Sequence, residues 1–108
     1  MRAQPLIDQS VRQESHVVLE CQLQPVDRRP DSVRWFCNGN ELIPSPDYLI
    51  TPWSVDSGGL CRLTIADVFP EDSASYSCVA VYAGGQTVTT TMTLTVIGQS
   101  SHVLLLNY

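Results

Sequence analysis

The chain contains no lysine: all six basic residues are arginines, set against eleven aspartates and glutamates. The net charge of -5 excludes the basic face that counterion exchange with nucleic acid or an anionic membrane requires. Only Arg28 and Arg29 adjoin one another, and that pair reads as solvating a loop. No apolar run approaches the length needed to cross a bilayer. Before Val11 only Leu6 and Ile7 are large and apolar, far short of a secretory hydrophobic region. No Asn-x-Ser/Thr sequon occurs, because Asn38, Asn40 and Asn107 are followed by the wrong residues. That absence favours an intracellular setting.

Catalytic chemistry is equally scarce. The two histidines, His16 and His102, lie at a strand start and in the C-terminal tail, away from any plausible nucleophile. Gly58-Gly59 and Gly84-Gly85 fit hairpin turns and lack the helix that follows a phosphate loop. Closely spaced Cys/His pairs are missing, so no metal is expected. The expectation is a protein that is not an enzyme, with no cofactor, no small-molecule substrate and no membrane or nucleic-acid partner.

Period-two alternation is abundant, and a length of 108 residues holds one domain with a real core. Val17, Leu19, Cys21 and Leu23 share one face of a strand, and Val33, Trp35 and Cys37 share another. Leu63 with Ile65, then Tyr76, Cys78 and Ala80, repeat the pattern. Val88, Thr90, Met92, Leu94 and Val96 alternate with threonines in the last strand. Asn38-Gly39 and Ala83-Gly84-Gly85 supply hairpin turns, and residues 67–72 read as a helical turn between sheets. Such half-buried strands predict an all-β Greek-key sandwich of two antiparallel sheets with seven to eight strands. Residues 1–98 form the domain, and residues 99–108 read as a linker or tail.

Two cysteines, Cys21 and Cys78, bracket Trp35, and Tyr76 stands two before the second cysteine. In that order these residues resemble the core of immunoglobulin-type domains. Between Ile7 and Val96 the chain is similar to the I-set, on Val17-x-Leu19-x-Cys21, Val33-x-Trp35-Phe36, Asn38-Gly39, Leu63-Thr64-Ile65 and the stretch from Asp72 to Cys78. The short span from Gly39 to Leu60 leaves room for one edge strand. The segment from Cys61 to Ser73 is similar to domains of the titin, kettin and palladin group of muscle proteins. Glu14-Ser15-His16 stands where that group usually has Glu-Gly, and Tyr82 where it usually has asparagine. The resemblance implies that Trp35 packs on the sulfurs of Cys21 and Cys78, which lie close enough to bridge in an oxidising compartment. It also implies that the Tyr76 hydroxyl ties back to the turn at Asp72.

Cys37 ends its strand, whereas Cys61 begins its own on a strand running the same way. The offset is on the order of 10 Å at the usual strand rise, so no 37–61 bridge is expected. Two spare thiols at strand ends, both reactive, suit a reducing compartment. Phe36 and Trp53 are candidate protein contacts, the alternative being that Phe36 packs beneath an edge strand and Trp53 caps the sandwich end. The threonine face of the last strand is a candidate edge for β-augmentation. These features imply a structural, protein-binding module of a cytoplasmic muscle protein, giving filament spacing and mechanical resistance. Its partners would be neighbouring immunoglobulin-type domains and filament components. The alternative is an extracellular domain of an adhesion molecule or receptor.

Overall fold

The computed structural model describes residues 2–98; the tail assigned to residues 99–108 lies outside them. In chain order the strands are β1 (Arg2–Ala3), β2 (Gln9–Arg12), β3 (Val17–Gln24), β4 (Ser32–Cys37), β5 (Asn40–Glu41), β6 (Tyr48–Ser54), β7 (Leu60–Ile65), β8 (Ala74–Val81) and β9 (Thr87–Ile97). They form a four-stranded sheet ordered β1-β3-β7-β6 and a five-stranded sheet ordered β2-β9-β8-β4-β5. One 3-10 turn, Pro70–Asp72, leads into β8.

Alternation explains the layers. Odd-numbered β3 residues from Val17 to Leu23 are buried, while Val18 and Glu20 point to solvent. Even-numbered β9 residues from Thr90 to Val96 are buried, with threonines outside. Side chains of successive strand residues leave on opposite faces, so each sheet presents one apolar face and the two faces close on each other. Trp35, Leu19, Leu63, Ile65, Val68, Met92 and Leu94 fill the space between.

The chain begins on one sheet and changes to the other. Arg2 pairs with Gln24 in an antiparallel ladder, whereas Gln9 to Arg12 run parallel to Leu94 to Ile97. Pro5, which cannot donate to a ladder, stands at the crossing. Two side chains hold it: Thr90 Oγ1 accepts from Leu6 N at 2.9 Å, and Asp8 Oδ1 accepts from Thr93 N at 2.8 Å. Three expectations are corrected here. Nine strands form among the described residues rather than seven to eight, because the short pairings of β1 and β5 add to the longer strands. β9 is not an edge, because β2 covers it. The span from Gly39 to Leu60 holds two strands, β5 and β6, one on each sheet.

Left-handed backbone shapes several turns, two of which bear on the core. Asn38 and Gly39 have φ of 50° and 85°, and Asn38 Oδ1 accepts from Ser75 N at 2.9 Å. Gly59 has φ of 81° and lies against β3, where an added Cβ would fall 2.9 Å from the Leu23 carbonyl oxygen.

Candidate functional site

The centre of the sandwich is built from sulfur and indole. Trp35 is wholly buried and pairs in register with Cys78 between β4 and β8. On the facing sheet Cys21 pairs in register with Cys61 between β3 and β7. All four cysteines are unbridged. Cys61 is only 1% exposed, which corrects its expected place as a reactive strand-end thiol. It lies one ladder step inside β7, and its parity turns it to the core. Cys37 is half-buried on β4, opposite Tyr76 and Asn40, in the other sheet from Cys21 and Cys61. Hydrogen bonds with Cys21 and with Cys61, and then burial, push the Cys78 thiol far above its ordinary range. The hydrogen bond with Cys78 lowers Cys21, against the effect of its own burial.

Tyr76 Oη donates to the Asp72 carbonyl oxygen at 2.7 Å, and Asp72 Oδ2 accepts from Phe69 N at 2.8 Å. Two bonds thus fix the turn that feeds β8. Burial, followed by the influence of Cys37, raises the Tyr76 phenol well above 10.

The two aromatic candidates for protein contact part company. Phe36 is half-buried, between Glu41 on β5 and Ser77 on β8. Trp53 is in the core, and the Arg29 guanidinium lies 5.2 Å above its ring, so it is covered rather than offered. It walls a cavity of about 370 Å³ between β4 and β6, shared with Arg29, Val33, Trp35, Ile50 and Cys61.

The outer face of the four-stranded sheet carries two exposed apolar side chains in one row. Val18 on β3 and Leu49 on β6 both pair with Thr64 on β7, so the three side chains stand side by side across the sheet. Leu49 is 63% exposed and Val18 40%. The next row is polar, with Glu20 paired to Arg62 by an ion pair. The sequence held the signal for this row in the outward parity of Val18, but Leu49 had no assigned strand to give it a face. Among the described residues no cluster of His, Cys, Asp or Glu could hold a metal, and no helix is long and apolar enough to cross a membrane.

A family model described as the immunoglobulin I-set domain matches residues 2–96. Palladin of Mus musculus is 42% identical over 84 residues, which cover 76% of this chain and 6% of palladin. Myopalladin of Mus musculus is 43% identical over 77 residues, covering 71% of this chain and 5% of that protein. The chain therefore spans a small part of the length of these relatives. Among solved structures, the tandem Ig repeats of Dlar superpose with a TM-score of 0.74 at 28% identity, covering 89% of this chain and 47% of that one.

Proposed function

The chain belongs to the immunoglobulin I-set family, a non-catalytic and protein-interacting class, and from that premise we propose that it serves as one docking link in a larger modular protein. The exposed Val18-Thr64-Leu49 row carries this reading. The exposed Val18 and Leu49 side chains, on either side of Thr64, offer a partner apolar contact area, and the flanking Glu20–Arg62 pair gives it a polar rim. A photo-crosslinking residue at position 49 of the full-length protein tests it. Adducts with another protein domain are expected there and not at outward Thr89 of the opposite sheet. Absence of any protein adduct at position 49 would remove the surface from consideration.

Two settings each have an observation behind them. An extracellular adhesion or receptor array is supported by the likeness to the Dlar repeats over 89% of this chain. Partners there would be other immunoglobulin-type domains, met through the sheet face. A cytoskeletal array, holding spacing along a filament, is supported by the higher identity to palladin and myopalladin. Compartment redox separates the two. Native protein, acid-quenched and alkylated, should carry a Cys21–Cys78 bridge in the first setting and two free thiols in the second.

A further inference from the structure

β6 is an edge of the four-stranded sheet, and on the other sheet β4 has only the two-residue β5 beyond it. Between β4 and β6 lies the cavity of about 370 Å³, a volume within the range of small-molecule sites. Its lining runs from the buried Trp35 and Trp53 to the exposed Arg29 and Asp31. Val33 and Ile50 add apolar surface between them.

The polarity of this lining is one-sided. The indole N–H groups of Trp35 and Trp53 are both buried, and neither has a hydrogen-bond partner. An indole nitrogen only donates, and a buried donor left unpaired costs free energy. Trp53 Nε1 is turned toward Gly59, 3.5 Å from where a Cβ would stand there, which leaves Trp35 as the donor assigned to the cavity. Arg29 supplies further donors. Its guanidinium lies 5.2 Å over the Trp53 ring, and among the described residues it forms no ion pair. We propose that this cavity binds a small aromatic carboxylate, whose oxygens accept from Trp35 Nε1 and from the Arg29 guanidinium.

Each part of the ligand answers to a part of the site. Indole faces favour an aromatic ring over an aliphatic chain of equal size. The unpaired N–H calls for an acceptor, and the arginine without a counter-ion calls for that acceptor to be an anion. Asp31 opposes the anion, but it is exposed and its charge is screened by water. No bond is made or broken, so the molecule is a ligand and not a substrate. The cavity is also separate from the outward Val18-Thr64-Leu49 row, because Ile50 leaves β6 on the opposite face from Leu49.

The test is a titration of the full, isotope-labelled chain followed by nuclear magnetic resonance. The chain has 2 tryptophans, so its proton–nitrogen spectrum holds one indole signal for each. Naphthoate is expected to move the Trp35 indole proton downfield in a saturable way and to raise the melting temperature. The neutral ketone acetylnaphthalene should bind roughly tenfold more weakly, because it lacks the charge-assisted bond to Arg29. Arg29→Gln should weaken naphthoate by the same factor while changing the ketone far less. Asp31→Asn should tighten naphthoate. Both positions are exposed, and the spectrum of each variant reports directly that it is folded. Millimolar naphthoate that leaves the Trp35 signal in place overturns the proposal. So does tighter binding of the cation naphthylmethylamine, or a folded Arg29→Gln variant with unchanged affinity for naphthoate.

Discussion

Trp35 has no exposed surface, and it stands in register with Cys78 inside the core. Truncating it to alanine removes a large aromatic from a packed core, which costs about 3–5 kcal/mol. A domain of this size holds about 5–15 kcal/mol in all, so urea melts should show a large fraction of the stability gone. A loss below about 1 kcal/mol would place Trp35 outside the core. Gly59→Ala should cost roughly 1–3 kcal/mol, since the residue is at positive φ and its Cβ would press on the Leu23 carbonyl. Tyr76 sets the alkaline limit. Its folded phenol titrates above the ordinary value of 10.0, because burial disfavours the phenolate. The unfolded chain therefore releases this proton first as pH rises. The contribution is complete below pH 10 and is lost as pH climbs toward the folded value. Urea midpoints should accordingly fall above pH 10. Tyr76→Phe should lower stability at neutral pH by about 1 kcal/mol, through the lost bond to Asp72, while flattening that alkaline fall. A midpoint that rises above pH 10 would contradict the shift.

At the scale of elements, what the sequence displayed and what it hid follow from the range of the interactions involved. β3, β7, β8 and β9 were legible because their alternation is local and unbroken, as in Val17-Leu19-Cys21-Leu23. β5 is two polar residues, Asn40–Glu41, and no periodicity can be read from two positions. β6 contains Thr51 and Pro52 beside a register shift, which breaks its alternation. The Cys21–Cys61 pair was invisible for another reason: it depends on register between strands distant in sequence, which the spacing of either strand leaves open. The switch of the N-terminal segment between sheets also rests on distant contacts, with Thr90 and Thr93. That segment offers a test. Leu6 and Val11 pack partly on the core, and β2 covers the edge of β9. A chain lacking residues 1–12 should lose about 3 kcal/mol from those two side chains. It should also associate through the bared β9 edge. Size-exclusion chromatography showing a monomer of unchanged melting temperature would mean the segment contributes little.

For the molecule as a whole, the main question is how far stability depends on sulfur. The core is continuous across both sheets with all four thiols unbridged, and aliphatic and aromatic side chains supply most of its volume. Burial of that apolar surface is expected to hold the fold without a bridge. Cys21 and Cys78 are buried on facing sheets, so a bridge between them would tie together two layers that are already packed. Because the bridge acts mainly on the unfolded chain, its effect is set by loop length rather than by new native contacts. A 21–78 bridge closing about 58 residues should contribute roughly 2–4 kcal/mol. Reduced protein is thus expected to unfold cooperatively in urea, with a midpoint below that of the oxidised protein and a similar far-ultraviolet spectrum before the transition. Conversely, loss of that spectrum on reduction in plain buffer would show that the bridge, and not the packed core around Trp35, holds the two sheets together.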